Sequence, residues 1–275
     1  MLAGVSALCF GAALVTAKLG LRAVDARSGA AISIPTATAL LVLAAPFALD
    51  VSGFTLVAAL IFAAVGIFFP AVVTLLTFAA NDRLGPSVTG TVSSSAPLFA
   101  LLAALLILGE RIPARALVAT AAVVAGVALL SWRGGTLMRR ALWLPLAGAA
   151  LRGIVQVAAK AGLALWPSPF AASLIGYSVS TVTVTLAARG RKRWRERSAL
   201  LWFMATGLLN GLAVLLMYAA LSAAAVSLVA PVVAGYPLVT VVLGAAVLRE
   251  EALSVRSVAG ALLIVGGIAY LVAGS

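Results

Sequence analysis

The sequence predicts an all-α membrane protein with ten transmembrane helices in two inverted five-helix repeats. Its composition, its long apolar runs and an internal repeat lead to this prediction. Of the 275 residues, 64% are hydrophobic and only 9% are charged, and the mean hydropathy is +1.21. A water-soluble domain carries about a quarter charged residues, so this composition indicates a chain that lies mostly in the bilayer.

Apolar runs of about 20 residues recur along the chain, and each crosses roughly 30 Å of hydrocarbon as a helix that rises about 1.5 Å per residue. The ten predicted spans are residues 2–21, 29–49, 54–80, 86–108, 113–132, 141–165, 168–188, 199–220, 224–248 and 254–273. The first span lacks a basic N-terminal region and a convincing cleavage site, so we expect a retained helix and not a signal peptide.

An internal repeat divides these spans into two equal sets. Residues 76–126 align with residues 216–266 at a constant offset of 140, without a gap. The aligned pairs include Pro97 with Pro237, Glu110 with Glu250 and Gly126 with Gly266, and a second patch at an offset of 142 pairs Gly11 with Gly153 and Lys18 with Lys160. Internal repeats in a membrane chain are typical of transporters.

We place the boundary near Gly134-Gly135, which gives repeats of residues 1–134 and 135–275. Each repeat holds five spans, and this odd number makes the second repeat enter the membrane from the opposite side. Inverted repeats of this kind place a shared substrate site near the middle of the membrane, where they meet.

The basic residues predict the orientation. Of the 19 Lys and Arg residues, fourteen lie in connections after odd-numbered spans, while Arg111 and Arg115 follow even-numbered spans. Because positive charge favours the cytoplasmic side, we expect a multi-pass protein of the plasma (inner) membrane with both termini outside. The formal net charge of +12 would suggest nucleic acid for a soluble protein, but short basic connections between spans point to lipid headgroups instead.

Few residues of this chain are suited to catalysis. The single Cys9 and the absence of histidine leave no disulfide, no thiolate metal site and no imidazole base. We therefore expect no metal, no cofactor and no enzymatic activity. The seven acidic residues all fall in connections or at helix ends, and they are Asp25, Asp50, Asp82, Glu110, Glu196, Glu250 and Glu251. We expect Glu110 and Glu250, at the ends of helices 4 and 9, to pair with Arg111, Arg115, Arg249 or Arg256. Without a carboxylate at mid-membrane, exchange of a proton for a cationic drug is disfavoured.

The ten-span pattern resembles the EamA-type drug/metabolite transporters. The resemblance includes a proline in the fourth and ninth helices, Glu110-Arg-Ile-Pro113 and Glu250-Glu251 closing those helices, and Gly126 and Gly266-Gly267 in the helices that follow. It implies that helices 1–4 and 6–9 surround a central cavity, with helices 5 and 10 at the periphery, and it implies export or exchange of small metabolites. Family members of this length usually have cytoplasmic termini, which is opposite to what the charge distribution indicates here.

Arg152 is the main candidate for a substrate-binding residue. About twelve residues into the sixth span, it lies roughly 18 Å deep, where a charged side chain costs at least about 2.5–3.5 kcal/mol. Gln156 and Lys160 follow one and two turns later, so the three form one polar stripe. We predict that Arg152 faces a central aqueous cavity and binds an anionic substrate group. The alternative is that it packs against backbone carbonyls freed by Pro97 or Pro237.

The remaining candidate residues are less specific. Lys18, Asn210, Tyr236 and Ser94 are further substrate-binding candidates. Pro97 and Pro237 are candidate gating positions because an intrahelical proline removes a backbone donor, and we predict a helix discontinuity at both. The alternative for Lys18 and Lys160 is a side chain that reaches the membrane surface, and for Asn210 an interhelical hydrogen bond.

These features favour a secondary transporter, either an exporter or an exchanger. The substrate would be a small polar or amphipathic metabolite such as an amino acid, moved by alternating access. One chain contains both repeats, so a monomer is sufficient for the site. A flippase for a lipid-linked phosphorylated intermediate is the main competing function, and a laterally open groove would favour it. Two further candidate functions are a membrane-embedded enzyme and a purely structural membrane subunit.

Overall fold

The computed structural model describes residues 1–77, 79–80, 83, 92–93, 95–131, 141–188, 197–248 and 255–273. Every regular element in these ranges is a helix, so the predicted all-α fold is confirmed for them. The helices are α1 Leu2–Gly20, α2 Ala26–Ala48, α3 Leu56–Thr77, α4 Ala96–Leu108, α5 Ala114–Ser131, α6 Trp143–Leu165, α7 Pro169–Ala187, α8 Arg197–Ala223, α9a Val226–Val233, α9b Tyr236–Leu248 and α10 Val255–Ala273.

Most of these helices have the length and composition of a membrane span. In the described part of the chain, seven helices are long and apolar enough to cross a membrane, namely α1, α2, α3, α6, α7, α8 and the ninth helix over Val226–Gly244. Shorter apolar stretches of α4, α5 and α10 cover Ala96–Leu108, Ala114–Leu129 and Val258–Ala273, within the predicted spans 4, 5 and 10. The chain is therefore a multi-pass membrane protein, and the count of ten full spans stays a prediction.

Polar residues at the interfaces explain where several helices begin. Asp25 precedes α2 and accepts a hydrogen bond from the Ser28 N–H at 2.9 Å, and Thr55 precedes α3 and accepts one from the Ala58 N–H at 3.3 Å. Ser168 caps α7 in the same way, directly before Pro169 in its first turn. Such side chains satisfy amide groups that have no partner within the helix.

The chain divides into two compact units, and each unit draws on both sequence halves. Unit 1 contains Met1–Leu75 and Ala158–Ala223, and unit 2 contains Leu76–Val157 and Ala224–Ser275. This division follows contacts between helices, whereas the predicted boundary near residue 134 follows the sequence repeat. The repeat boundary itself stays a prediction.

Small and hydroxyl residues hold the helices of unit 1 together. The Ser6 hydroxyl on α1 donates to the Ala213 carbonyl on α8 at 2.7 Å, and the hydroxyls of Thr16 and Thr206 join the same two helices at 2.8 Å. Between α2 and α7, the hydroxyls of Thr38 and Thr181 lie 2.7 Å apart. Small polar residues let membrane helices approach closely and bond to each other, so Thr181 of α7 contributes to helix packing.

In unit 2, α5 packs against α10. A Cβ atom at Gly126 would lie 2.6 Å from the Gly260 carbonyl oxygen, so the two backbones meet where side chains are absent. Val123, Val127 and Ile264 form a buried cluster beside this contact. The two helices that the family resemblance places at the periphery are thus each other's packing partners.

Candidate functional site

Arg152 on α6 binds Tyr236 at the start of α9b. Its Nη1 donates a hydrogen bond to the Tyr236 Oη at 3.1 Å, and its Cζ lies 5.6 Å from the centre of the tyrosine ring. That distance is within the range of a cation–π contact. A guanidinium carries five N–H donors, and Arg152 bonds to no second residue in the described part of the chain. Most of its donors therefore have no described partner.

The competing role for Arg152 is packing against backbone carbonyls freed by a proline. In the described part of the chain its hydrogen-bond partner is a side-chain hydroxyl, and no carboxylate pairs with it there. The phenol is neutral, so it accepts a hydrogen bond without cancelling the positive charge of the guanidinium.

Gln156 lies one turn beyond Arg152 on the same face of α6. Its side chain is buried, with 4% exposed, and its Oε1 has no hydrogen-bond partner in the described part of the chain. A buried acceptor without a partner costs about 1–3 kcal/mol, so such atoms usually bind water or a ligand. Arg152 and Gln156 thus offer donors and an unused acceptor next to each other.

The ninth helix is interrupted directly before Tyr236 and Pro237. Ala234 and Gly235 form a turn between α9a and α9b. The Gly235 N–H donates to the Val232 carbonyl at 3.1 Å and the Leu238 N–H donates to the Gly235 carbonyl at 3.1 Å, so both bonds span three residues instead of four. This is the discontinuity that the sequence predicts at Pro237.

The fourth helix is interrupted at the corresponding place. Ser95 is a turn residue before α4, and Pro97 lies in the first turn of α4. The Ser95 N–H donates to the Val92 carbonyl at 3.2 Å and the Leu98 N–H donates to the Ser95 carbonyl at 2.9 Å. These bonds match those around Pro237 at the offset of 140, so both prolines follow equivalent breaks. Their role in gating stays a prediction.

Gly153 places α6 against the break in the fourth helix. A Cβ atom at Gly153 would lie 2.6 Å from the Ala100 amide nitrogen and 2.9 Å from the Ala96 carbonyl oxygen. The neighbouring Arg152 reaches Tyr236 at the break in the ninth helix. Consecutive residues of α6 therefore contact both interrupted helices within unit 2. We call Arg152, Gln156 and Tyr236 the unit 2 site.

Comparisons with known proteins agree with this architecture. The family model of the EamA-like transporter family matches residues 1–132 and 139–273. The chain belongs to the EamA-like transporter family. One solved crystal structure has a TM-score of 0.82 and 20% sequence identity, and the match covers 98% of this chain and 94% of that chain. At this identity the likeness shows the fold alone. A comparison with curated proteins finds no match.

The other predicted substrate residues of this EamA-like transporter belong to unit 1 or lie outside the described residues. Lys160 belongs to unit 1, where its Nζ donates to the Leu221 carbonyl at 2.6 Å, near the end of α8. A cation at a helix C-terminus is stabilised by the helix dipole. Lys18 lies half-buried in the last turn of α1. The half-buried amide of Asn210 bonds to no described residue, and Ser94 lies outside the described residues.

Glu110 differs from the sequence-based expectation. We expected it to pair with Arg111 or Arg115, and neither pair is present in the described part of the chain. Instead its carboxylate accepts hydrogen bonds from the backbone N–H groups of Val226 and Ser227, at 3.0 and 3.3 Å. The start of α9a lacks a side-chain cap of its own, and an anion is favoured there by the unpaired amides and the helix dipole. The equivalent Glu250 lies outside the described residues.

A third interruption, in α3, was not predicted. Phe69 has extended backbone angles, with φ −133° and ψ 128°, directly before Pro70 inside α3. The sequence signal is Pro70 itself, but the predicted breaks depend on prolines that recur in both repeats. Pro70 lies before residues 76–126, where the offset of 140 is established, so the repeat gave no signal at this position.

The described carboxylates lie outside the helices, as expected. Asp25 precedes α2, Asp50 follows it, and Glu110 follows the left-handed Gly109 that ends α4. Hydrogen bonds from the Ser52 side chain and backbone lower the pKa of the Asp50 carboxyl. In the described part of the chain, no group of three or more Cys, Asp and Glu residues is placed to hold a metal ion.

Proposed function

We propose that this EamA-like protein is a secondary transporter that exports or exchanges a small polar or amphipathic metabolite, such as an amino acid, by alternating access. We further propose that Arg152 binds an anionic group of that substrate. The observation that carries the proposal is a half-buried guanidinium on a membrane helix whose described partner is a neutral phenol.

The electrostatics of Arg152 favour an anionic ligand. Keeping a guanidinium at the centre of a membrane helix costs at least about 2.5–3.5 kcal/mol, and a hydrogen bond to tyrosine leaves the charge in place. A carboxylate neutralises that charge and accepts two parallel N–H bonds from the planar guanidinium. The site therefore gains more from an anion than from a neutral ligand of the same size.

Gln156 supplies a second, different contact. Its Oε1, which has no described partner, accepts a hydrogen bond from an amine or hydroxyl of the ligand. The acidic group of the same ligand is bound by Arg152, one turn away on α6. The breaks before Pro97 and Pro237 provide hinges beside this site, since each interrupts a helix that α6 contacts. We retain Lys18, Lys160, Asn210 and Ser94 as secondary proposals for entry or substrate contact, with Lys160 the weakest because its ammonium is bonded to α8.

No contact among the described residues favours a lipid-linked substrate, so we do not propose a flippase. The plasma (inner) membrane and the outward-facing termini remain part of the proposal, based on the distribution of basic residues.

The proposal is tested by ligand-induced thermal stabilisation of the purified protein, because a ligand that binds the folded state stabilises it. The ligands are a panel of amino acids, organic acids and their uncharged amide analogues. We expect an acid, and not its amide, to raise the unfolding temperature. Arg152→Ala should remove this shift and retain a cooperative unfolding transition.

Arg111→Ala is the matched control because Arg111 is an exposed arginine in the loop after α4. It should keep the full response to the acid. Equal responses of wild type and Arg152→Ala to the same acid would contradict the assignment of Arg152.

A further inference from the structure

The bond between Arg152 and Tyr236 links α6 to the interrupted ninth helix. Tyr236 is the first residue of α9b, immediately after the turn at Ala234 and Gly235. The Thr240 hydroxyl donates to the Tyr236 carbonyl at 3.2 Å, which fixes the tyrosine backbone to the first turn of α9b. The Arg152 contact therefore joins the N-terminal end of α9b to α6.

The turn before Tyr236 is packed on α10. A Cβ atom at Gly235 would lie 2.8 Å from the Ile268 Cδ1, and Ala234, Leu238 and Ile268 pack together against the buried cluster of α5 and α10. The apolar side of the break is thus filled by side chains of unit 2. On the polar side, the phenol–guanidinium bond is the contact that a hydrophilic ligand can replace.

We propose that Tyr236 is an internal ligand of Arg152, which the anionic group of the substrate displaces, and that this exchange releases the break in the ninth helix. The inference rests on the proposed function, because it takes an anion at Arg152 as the displacing group. A carboxylate is the stronger acceptor, since a hydrogen bond between two charged groups is roughly twice as strong as one to a neutral partner.

The exchange gives the substrate different affinities for two conformational states, one with the Arg152–Tyr236 bond formed and one with it broken. A ligand shifts a conformational equilibrium only as far as it binds one state better than the other. In the state described here, Tyr236 occupies Nη1 of Arg152. A carboxylate that pairs through Nη1 and Nη2 therefore binds the state in which that bond is broken. The phenol then lowers the apparent affinity for the anion, because in part of the protein molecules Arg152 is already bonded to Tyr236.

The inference predicts that loss of the phenol oxygen strengthens anion binding. Tyr236→Phe keeps the ring and its packing but removes the acceptor for the Arg152 Nη1. Removing one competing neutral hydrogen bond should lower the concentration of anion needed for half-maximal effect by roughly 3- to 10-fold. A tyrosine that contacts the substrate directly would show the opposite sign, with weaker binding in the Phe variant.

The experiment uses L-phenylalanine, L-glutamate and benzoate as the anions and measures thermal stabilisation of the full-length protein over a concentration series. At least one of the three should act at a lower concentration on Tyr236→Phe than on wild type. An equal or weaker response of Tyr236→Phe to all three, including no response of either protein, would overturn the inference. Tyr270→Phe changes an exposed tyrosine on α10, 54% exposed, and should behave as wild type.

A second measurement needs no ligand. Hydrogen exchange of the amides of residues 232–240 should be faster in Tyr236→Phe than in wild type, because the break is no longer held to α6. Exchange rates equal to those of wild type would exclude the release of the break even if anion affinity changed.

Arg152→Ala separates this inference from the proposed function. If wild type and Arg152→Ala respond equally to an anion, the proposed function fails. If Arg152→Ala is unresponsive but Tyr236→Phe binds the anion no more tightly than wild type, the substrate assignment stands and only the exchange is wrong.

Discussion

The carboxylate of Glu110 caps the helix that begins at Val226, with its Oε1 3.0 Å from the Val226 amide nitrogen. Glu110 follows α4, and Val226 begins α9a, so the end of one interrupted helix holds the start of the other within unit 2. Gly109, with φ +63°, is in the left-handed conformation that commonly terminates helices. Gly109 therefore ends α4 directly before Glu110.

This cap gives α9a two defined ends. One end is fixed to Glu110, and the other is the break at Ala234 and Gly235 beside the Arg152–Tyr236 bond. Between them, Leu228 and Val232 pack against the buried residues Ala116, Ala119 and Leu271 of α5 and α10. The first half of the ninth helix is therefore anchored within unit 2.

Glu110→Ala should destabilise the protein by about 1 kcal/mol, the typical value for loss of a helix cap. The substitution leaves the amides of Val226 and Ser227 without their acceptor. Thermal unfolding in a single detergent measures the loss, and hydrogen exchange of residues 226–229 should become faster. Glu110→Gln should lose less, because the amide oxygen still accepts one of the two bonds.

Arg111→Ala is the neighbouring control, and its stability should be close to that of wild type because the side chain is exposed and has no described partner. If Glu110→Ala unfolds at the wild-type temperature with unchanged exchange at residues 226–229, the two hydrogen bonds do not stabilise α9a.

Topology is tested by labelling intact cells with an impermeant thiol reagent. Ser275→Cys in a Cys9→Ser background should react, because fourteen of the 19 basic residues follow odd-numbered spans and the odd connections are then cytoplasmic. A cysteine in place of Gly190, within the basic connection of residues 189–197, should react only after the cells are permeabilised.

The reverse pattern, with Gly190→Cys reactive in intact cells and Ser275→Cys protected, would show that both termini are cytoplasmic. It would also mean that the basic connection faces outward, against the usual preference for positive charge inside.

Sequence reasoning found the elements of this fold because their signals are local. Long apolar runs predict helices, and an offset of 140 aligns Pro97 with Pro237, whose breaks the structure shows to be equivalent. The positions of the acidic residues between or at the ends of the apolar runs also predict that the described carboxylates lie outside the helices. Each of these inferences depends on residue type and on position along the chain.

The partners of the polar side chains could not be predicted in the same way. Depth in the membrane follows from position along a helix, but the direction of a side chain depends on how the helices rotate and pack. Arg152 and Tyr236 are 84 residues apart, and both were candidates without any signal that they bond to each other. Glu110 was expected beside nearby arginines, because nothing local indicates an uncapped helix start 116 residues away.

Gln156→Leu should raise stability and weaken binding at the same time. Its Oε1 is a buried acceptor without a described partner, and replacing such a group with an apolar one of similar shape is nearly neutral or stabilising. We expect the ligand-free protein to unfold at the same temperature or higher, by up to about 1 kcal/mol in free energy of unfolding. The same change removes the acceptor offered to a substrate amine or hydroxyl, so stabilisation by the ligand that wild type binds should decrease.

Gln156→Glu is the informative comparison, because it keeps an acceptor but adds a negative charge one turn from Arg152, where it competes with an anionic ligand. If Gln156→Leu is strongly destabilised, the amide makes packing or water-mediated contacts that the protein needs when empty, and Gln156 is a structural residue. If Gln156→Leu keeps wild-type stability and also binds the ligand unchanged, the unpaired oxygen serves neither purpose and the unit 2 site reduces to Arg152 and Tyr236.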